Sequence, residues 1–319
     1  MHPYILHSLR IFNAIQEFTP NKPTIVTIGT FDGVHLGHMK ILEQLCHNAK
    51  ALDCESLVLT FFPHPRMIIQ EDSEMKQLNT LEEKEILLEK IGIDNLVIHP
   101  FNREFSRLTA EEFVKTVLVD TFNVKKIIIG YDHRFGRNRT ADINDLINFG
   151  ALYNFDVEQI SAKEINEVSI SSTKIRKALE EGNLSLAKTF LGYDYFLTGT
   201  ITQGKQLGRT IGFPTANLKI RESYKLIPQN GVYVVKSTLN NRFVYGMMNI
   251  GTNPTVNGTS QSIEIHYFDF DENLYNKNVS VSILKRIRSE QKFDSVESLK
   301  NQLHIDQLVA QDFIHTTKE

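Results

Sequence analysis

The chain has 319 residues, of which 41% are hydrophobic and 23% charged, and its formal net charge is -3. This length predicts two domains, and the composition excludes a disordered, collagen-like or membrane-embedded protein. The small negative charge, with scattered lysines and arginines, argues against nucleic acid as a partner. Cys46 and Cys54 fit neither a disulfide scaffold nor a zinc ribbon, and no apolar run reaches the ~18 residues that span a membrane. We therefore expect a globular cytoplasmic protein that contacts neither nucleic acid nor membrane.

The first half of the chain alternates β-rich runs with segments of helical periodicity, which predicts an α/β fold with a parallel sheet covered by helices. The helical segments carry apolar residues at i, i+3 and i+4 spacings. The predicted strands are Thr24 to Gly29, Ser56 to Phe62, Asn95 to His99, Lys126 to Gly130 and Phe155 to Ile160. The predicted helices are Met39 to Leu52, Leu81 to Ile91, Ala110 to Phe122, Asp142 to Phe149 and Thr173 to Glu181.

The second half changes to compact β-rich runs separated by Gly, Pro and Asn, which predicts a small antiparallel β-barrel. Apolar residues at near-helical spacing in Ser295 to Ile314 predict a C-terminal helix that packs against this barrel. We therefore expect two domains, residues 1–185 and 186–319. The predicted barrel strands are Tyr195 to Gln203, Thr215 to Leu218, Gly231 to Ser237, Arg242 to Ile250, Ser262 to Phe270 and Asn278 to Leu284.

A glycine-rich turn joins the first predicted strand to the helix after it. The turn is Gly29-Thr30-Phe31-Asp32-Gly33-Val34-His35-Leu36-Gly37-His38. Its glycines let the backbone approach phosphates closely, and the helix N-terminus offers unpaired N–H donors. His35 and His38 are about one helical turn apart, so both imidazoles can face one anion. A zinc pair or two loop histidines are the alternatives, but no cysteine or further histidine completes a metal set, so the pattern predicts a nucleotide phosphate site.

Three hydroxyl residues, Ser171, Ser172 and Thr173, precede a helix that contains Arg176. Such hydroxyls are most often helix N-caps, worth about 1 kcal/mol, and need no ligand. Because arginine presents a bidentate fork to phosphate, a phosphate clamp at the carboxyl end of a parallel sheet is an equally good interpretation. The pattern leaves both interpretations open.

Together these two motifs resemble the FMN adenylyltransferase module of bacterial riboflavin kinase/FAD synthetases. The resemblance includes Phe61-Phe62-Pro63-His64-Pro65 and Gly130-Tyr131-Asp132-His133-Arg134-Phe135-Gly136, although family members usually carry Phe in place of His133. It implies a Rossmann-like nucleotidyltransferase domain. The ATP-binding residues that it implies are Gly29, Phe31, Asp32, Gly33, His35, His38, Ser171, Ser172, Thr173 and Arg176. On the flavin or nucleotide side it implies Phe61, Phe62, Pro63, His64, Pro65, Asp132, Phe135 and Gly136, although Phe61 and Phe62 alone are typical of buried strand residues.

Adenylyl transfer to FMN requires no general base, because the attacking phosphate is already ionised at neutral pH. The protein need only align the attacking oxygen with the α-phosphate of ATP and stabilise the charge that develops. The resemblance implies His35, His38 and Arg176 as the catalytic residues, with a divalent metal ion on the ATP phosphates.

In the second half, residues 204–217 begin with a glycine-rich basic loop and end in an extended segment. As a phosphate cradle the loop is only moderately specific, and it is no Walker P-loop. Thr215 and Asn217 point to the same side of an extended chain, so their oxygens could coordinate Mg²⁺ beside ATP phosphates. A polar strand edge is the alternative. Side chains alternate along a strand, so Glu264 points to the face opposite that of Ile263 and Ile265. By itself this favours an ordinary solvent-exposed glutamate.

Residues 190–315 resemble the riboflavin kinase module, through Pro-Thr-Ala-Asn at 214–217 and segments 230–233, 249–255, 264–266 and 288–293. The resemblance implies that Glu264 is the general base, which the chemistry requires because a ribityl alcohol is almost wholly protonated at pH 7. It further implies that Thr215 and Asn217 hold Mg²⁺-ATP and that Arg288 contacts flavin. The residues implied to shape the phosphate loop are Gly204, Lys205, Gly208 and Gly212.

The expected function is therefore bifunctional. The second domain would phosphorylate riboflavin to FMN, and the first would join FMN to AMP, giving FAD and pyrophosphate. Both steps would use ATP and Mg²⁺, and the expected partners are these small molecules. Two alternatives remain at this point: a barrel that only binds flavin or regulates the first domain, and a chain that carries flavin or nucleotide without catalysis.

Overall fold

A computed structural model describes residues 8–70, 74–131, 133–161, 170–204, 207–255 and 258–317. The chain divides into two compact units, Met1–Ser171 (the first unit) and Ser172–Glu319 (the second unit). Among the described residues, no helix is both long enough and apolar enough to cross a membrane. The expected domain boundary after residue 185 stays a prediction.

The first unit contains a six-stranded sheet in which every pair of neighbours is parallel. Its strands are β1 (Arg10–Phe12), β2 (Thr24–Ile28), β3 (Glu55–Phe62), β4 (Asn95–Pro100), β5 (Val124–Gly130) and β6 (Asp156–Ile160). The order across the sheet is β1-β4-β3-β2-β5-β6. From β2 the chain builds outward through β3 to β4 and then returns to the other side of β2 as β5. The carboxyl ends of β2 and β5 therefore form the switch point where open α/β sheets bind ligands.

Helices cover both faces of this sheet, as the near-continuous apolar strands require. They are α1 (Leu36–Ala51), α2 (Pro65–Ile69), α3 (Leu81–Ile91), α4 (Ala110–Phe113), which continues as a π-helix over Val114–Thr121, and α5 (Ile143–Tyr153). Short 3-10 helices are formed by Ile15–Glu17, Phe105–Arg107 and Arg137–Arg139. Val26 and Ile28 of β2 pack with Leu118 on one face, whereas Ile25 of the same strand packs with Leu88 of α3 on the other.

The second unit begins with α6 (Ser172–Glu180) and α7 (Leu184–Leu191), which pack against each other and precede a closed six-stranded barrel. The barrel strands are β7 (Phe196–Thr202), β8 (Ala216–Lys219), β9 (Gly231–Leu239), β10 (Arg242–Thr255), β11 (Gly258–Tyr267) and β12 (Asn278–Arg288). Their order is β10-β11-β8-β7-β12-β9, and all neighbours are antiparallel. A short helix, α8 (Leu207–Thr210), lies between β7 and β8.

The final helix, α9 (Val296–Thr317), packs against the outside of the barrel through Ala310 and Ile314, which contact Val234 of β9. The fold class expected from the sequence is thus confirmed in both units. The structure adds β1 at one edge of the parallel sheet and the short α2. It also extends β10 beyond the predicted end at Ile250, because the pairing with β11 continues to Thr255 opposite Gly258.

Candidate functional site

The glycine-rich turn predicted to bind phosphate follows β2, at the switch point of the parallel sheet. Phe31, Gly33 and Val34 all have positive φ angles, of 46°, 87° and 36°. Such angles are strained for residues other than glycine and persist only where the surroundings hold them. Phe31 and Val34 are buried, and a Cβ added to Gly29 would lie 3.0 Å from the Phe31 ring. The turn is therefore held by close packing in an unusual backbone conformation.

His35 and His38 are brought together as the sequence predicted. His35 is the N-cap of α1, and its Nδ1 accepts a hydrogen bond from the backbone N–H of His38 at 3.3 Å. The two imidazole rings stack with a centroid separation of 3.6 Å and planes 15° apart. The edge-on Phe31 ring lies 5.1 Å from the His38 ring. Both imidazoles thus lie at the start of a helix, where backbone N–H groups and the helix dipole favour a bound anion.

The His38 imidazole is neutral at pH 7. Burial, followed by the nearby charges of His35 and Lys84, holds its pKa well below the usual value. Within the described part of the chain, its Nδ1 is buried without a hydrogen-bond partner. Together with its place at the helix N-terminus, this leaves a ring nitrogen for a ligand to use.

Two hydrogen bonds connect the turn to α3 and to the segment that precedes it. The backbone N–H of Leu78 donates to Oδ1 of Asp32, which is 2% exposed, at 2.8 Å. Nζ of Lys84 donates to the carbonyl oxygen of Thr30 at 2.7 Å. Lys84 was not predicted as a site residue, although its place between Leu81 and Leu88 on the apolar face of α3 indicates that it is buried.

The segment after β3 reaches the same edge of the sheet, because β3 is the neighbour of β2. Phe61 contacts the rings of Phe101 and Phe105 at 5.5 Å, so it packs as a strand residue. The Phe62–Pro63 peptide is cis. His64 is the N-cap of α2, with Pro65 as its first residue, and accepts a hydrogen bond from the Arg66 N–H at 3.2 Å. The flavin or nucleotide contacts predicted for these residues stay predictions.

The segment after β5 lies on the other side of β2. Phe135 is buried against Phe113, and the His133 ring stacks on it with a centroid separation of 6.1 Å. Gly136 has a φ of 72°, and a Cβ there would lie 3.0 Å from the backbone nitrogen of Ala110. The predicted site residue Asp132 lies outside the described residues. All three motif segments of the first unit thus meet at the carboxyl edge of β2, β3 and β5.

The predicted phosphate clamp falls across the division of the chain. Ser171 ends the first unit, and Ser172, Thr173 and Arg176 belong to α6 of the second. Nη2 of Arg176 donates to Oγ1 of Thr173 at 3.4 Å, so these two predicted ligands lie side by side on α6. Their assignment to ATP stays a prediction.

In the second unit, Thr215, Asn217 and Glu264 form a polar cluster on the outer side of the barrel. The Thr215 hydroxyl donates to Oε2 of Glu264 at 3.3 Å. Asn217 of β8 is the direct register partner of Glu264 on β11. Ile263 and Ile265 are buried on the opposite side of β11, as the alternation predicted, but Glu264 is half-buried rather than an ordinary exposed glutamate.

Glycines bring the loop backbone against this cluster. A Cβ on Gly204 would lie 2.1 Å from the Asn217 amide nitrogen, and one on Gly208 would lie 2.1 Å from the carbonyl oxygen of Phe213. Only glycine therefore fits at position 208, where the contact is with backbone, whereas a larger residue at position 204 would displace the Asn217 side chain. Gly212 has a φ of 88°. The predicted phosphate-loop residue Lys205 lies outside the described residues.

The donor set of this cluster fits a magnesium ion. A hydroxyl, an amide oxygen and a carboxylate are the hard oxygen ligands that Mg²⁺ prefers, supplemented by phosphate and water. In the described ranges, no group of three or more His, Cys, Asp or Glu residues is arranged to hold a metal. A metal here would therefore bind through Thr215 and Asn217 together with a nucleotide, rather than in an all-protein cage.

A groove of about 480 Å³ lies next to the loop. Ligand pockets commonly have volumes of this order. It is lined by Gly212, Pro214, residues 266–271 and Gln307 of α9. One wall is fixed by His266, whose Nδ1 lies 2.8 Å from the carbonyl oxygen of Pro214.

Arg288, predicted on the flavin side, is held by α9. Its Nε and Nη2 donate to the carboxylate of Asp306, at 2.7 Å for the shortest contact, and Asp306 is 1% exposed. Its Nη1 donates to the carbonyl oxygen of Ser289, and the guanidinium lies 5.8 Å from the Phe293 ring. Such a paired arginine has a fixed position at the end of β12.

Both halves of the chain match known protein families. Residues 17–174 match the FAD synthetase family and residues 191–314 match the riboflavin kinase family. A bifunctional riboflavin kinase/FMN adenylyltransferase from Escherichia coli strain K12 is 38% identical over 300 residues, covering 94% of this chain and 95% of the relative. The chain belongs to the bifunctional riboflavin kinase/FMN adenylyltransferase family. It therefore has an FAD synthetase domain followed by a riboflavin kinase domain, as the sequence motifs predicted.

Members of this family from other bacteria are similarly close. The proteins from Haemophilus influenzae and from Buchnera aphidicola of Acyrthosiphon pisum are 37% and 34% identical, over 91% and 97% of this chain and 94% and 99% of theirs. A crystal structure of a macrolide-efflux protein from Streptococcus pneumoniae is 30% identical, with a TM-score of 0.86 over 95% of this chain and 99% of that one. This last likeness bears on the fold alone.

Proposed function

We propose that the two transfers of this bifunctional enzyme take place at two separate sites. Riboflavin is phosphorylated at the cluster of Thr215, Asn217 and Glu264, and FMN is adenylylated at the turn that carries His35 and His38. The observation that carries the first assignment is the hydrogen bond between Thr215 and Glu264, with Asn217 paired opposite. The second is carried by the stacked histidine pair at the N-terminus of α1.

At the kinase site, Glu264 is the general base that removes the proton from the attacking ribityl hydroxyl. A carboxylate in this role must be fixed within hydrogen-bond reach of its substrate. The Thr215 hydroxyl and the pairing of β8 with β11 restrict where Glu264 can lie. The ion pair with Asp306 fixes the Arg288 guanidinium at the end of β12, which supports its proposed contact with flavin.

Magnesium and ATP bind beside this base. Thr215 and Asn217 hold the ion, and the loop carrying Gly204, Gly208 and Gly212 surrounds the phosphates. The ion, when bound, neutralises charge on the transferred phosphoryl group and polarises its phosphorus–oxygen bonds. Gly204 supports this role, since any larger residue there would displace the Asn217 side chain.

At the adenylyltransferase site, the protein aligns two anions rather than activating a nucleophile. The phosphate of FMN attacks the α-phosphorus of ATP, and pyrophosphate leaves. Imidazole and backbone N–H groups at the start of α1 donate hydrogen bonds to the phosphates as charge develops there. The segments after β3 and β5 border the same edge of the sheet, which supports their proposed contact with the flavin or the nucleotide. The role of Arg176 stays a prediction.

One assay tests both assignments. The protein is incubated with riboflavin, ATP and Mg²⁺, and FMN and FAD are separated by chromatography; a parallel reaction starts from FMN. We expect FMN and FAD from riboflavin, FAD from FMN, and neither product after removal of divalent ions with EDTA. FAD from FMN without any FMN from riboflavin would reduce the barrel to a binding or regulatory module. If neither FMN nor FAD were formed, the chain would be a carrier of flavin or nucleotide.

A further inference from the structure

A buried ammonium group lies behind the phosphate-binding turn. Lys84 of α3 is 2% exposed, and its Nζ donates to the carbonyl oxygen of Thr30 at 2.7 Å. Within the ranges that the structure describes, this is the one hydrogen bond of a group that has three N–H donors. An ammonium ion is seldom buried with so few partners, because the loss of hydration is costly.

The Thr30 carbonyl does not depend on this ammonium group for a hydrogen bond. The Thr30 carbonyl also accepts a hydrogen bond from Oγ1 of Thr60 at 3.2 Å, so it keeps a partner without Lys84. Lys84 lies between Leu81 and Leu88 on the apolar face of α3, where an uncharged side chain of similar length would pack well. Burial lowers the pKa of Lys84 to about 8, against the opposing effect of the Asp32 carboxylate. The charged form is therefore held in the protein at an energetic cost.

The ammonium group of Lys84 also interacts with titratable groups of the turn. Asp32 and His38 are the titratable groups with which it interacts electrostatically. His38 is neutral at pH 7, partly because of the Lys84 charge. An anion that binds at the turn would offset the cost of burying the ammonium.

We propose that Lys84 is a positioning residue for adenylyl transfer, which holds the Thr30 carbonyl oxygen away from the bound triphosphate and supplies positive charge behind the turn. A carbonyl oxygen facing a phosphate would repel it, and a cation in a water-poor site attracts the phosphate strongly. The ammonium acts through the turn rather than on the reacting atoms. This role rests on the assignment of the turn to the ATP phosphates.

The test compares Lys84→Met and Lys84→Arg with the wild type and with Lys90→Met, which changes an exposed lysine of the same helix. FAD formation from FMN is measured as kcat/KM for ATP between about pH 6.5 and 9.5. Riboflavin phosphorylation by the same molecules is the internal control for ATP ionisation and intact protein. In the wild type we expect FAD formation to fall as the pH rises through about 8, without a matching fall in the kinase reaction.

Lys84→Met is expected to lower kcat/KM for FAD formation by tenfold or more, mainly through KM for ATP, and to remove the alkaline fall. Lys84→Arg is expected to keep most activity and to move the fall to higher pH, since arginine does not titrate there. Binding of inorganic pyrophosphate, measured by calorimetry, should weaken in Lys84→Met alone. Unchanged kcat/KM and pH profile in Lys84→Met would overturn the proposal.

Lys84→Met could fail to fold. In that case the proposal would be overturned if kcat/KM for FAD formation fell at the same alkaline pH in the wild type and in Lys84→Arg. The assignment of the turn itself is judged separately. It fails if the wild type makes no FAD or if His38→Ala makes FAD normally, whereas the role of Lys84 fails when His38→Ala is impaired and Lys84→Met is not.

Discussion

The hydroxyl of Thr215 donates a hydrogen bond to Oε2 of Glu264 at 3.3 Å, although the two residues are 49 positions apart. The pairing of β8 with β11 produces this contact, since it places Asn217 directly opposite Glu264. A hydroxyl, an amide and a carboxylate thus converge on one patch of the barrel surface. A carboxylate beside neutral oxygen donors supports the proposal that phosphoryl transfer to an alcohol takes place here.

Replacing Glu264, the proposed base, is expected to impair one activity only. Glu264→Gln keeps the size of the side chain but cannot accept the proton of the ribityl hydroxyl. We expect riboflavin phosphorylation to fall by a factor of about 10²–10⁴, as is usual on loss of a general base, with FAD formation from FMN unchanged. Initial rates of FMN and FAD formation measure both effects. Glu297→Gln, an exposed glutamate in the first turn of α9, is the matched control, and an equal loss in that variant would contradict the assignment.

The hydroxyl of Thr215 should matter for the metal as well as for Glu264. Thr215→Ala removes one proposed ligand, whereas Thr215→Ser keeps the oxygen. We expect the alanine variant to lose at least about tenfold in riboflavin phosphorylation, equal to about 1.4 kcal/mol, and to need more Mg²⁺ for half-maximal rate. The serine variant should stay close to the wild type. Titration of the kinase rate with Mg²⁺ distinguishes these outcomes, and equal behaviour of both variants would argue against ligation by the hydroxyl.

The histidine pair should affect the other activity. His38→Ala removes the imidazole that stacks on His35 and its proposed hydrogen bond to phosphate. We expect FAD formation to fall by about 10²–10³, the usual loss for one electrostatic donor, while riboflavin phosphorylation persists. His47→Ala, an exposed histidine further along α1, is the control. Equal loss of both activities in His38→Ala would contradict separate sites.

Lys84 is expected to lower the free energy of unfolding while it supports FAD formation. Its pKa of about 8 lies below the usual value of 10.5, so the folded protein binds fewer protons than the unfolded chain between these values. The destabilisation is therefore complete below about pH 8 and disappears as the pH rises towards 10.5. At pH 7 this destabilisation amounts to about 3 kcal/mol. A variant without the ammonium would gain this amount but lose about 1 kcal/mol with the hydrogen bond to Thr30.

Lys84→Met is accordingly expected to raise the free energy of unfolding of the first unit by about 2 kcal/mol at pH 7 and by little at pH 10.5. Calorimetric unfolding at the two pH values measures this difference. Lys90→Met should show no such pH-dependent gain. A less stable Lys84→Met protein at pH 7 would mean that the ammonium serves the fold after all.

Most elements of both units could be predicted from local patterns. Leu81–Ile91 was predicted with its exact bounds, because Thr80 and Glu83 form a capping box and Gly92 ends the helix in a left-handed conformation. By contrast, β1 is a three-residue edge strand with a half-exposed pattern and carries no apolar run to mark it. The π-helical turn over Val114–Thr121 was also missed, since it keeps the apolar spacing of an ordinary helix.

The candidate sites divide in the same way. The motifs around His35, His38, Thr215 and Glu264 were visible in the sequence, and the family they indicated is confirmed. Lys84 was not identified, because nothing near it in the chain indicates a phosphate site. Only the packing of α3 against the turn after β2 reveals its position.

The sequence by itself thus determined the order of strands and helices, the two families and the residue types available for chemistry, because periodicity, turn residues and motifs are local. Tertiary structure alone decided which distant residues meet. The strand order places the three motif segments at one edge of the sheet, and β8 pairs with β11 so that Thr215 reaches Glu264. Lys84 reaches Thr30 across 54 positions. Such contacts follow from the packing of whole elements. The free energy of that packing comes from many core residues, so neither contacting residue reveals the contact by its own local sequence.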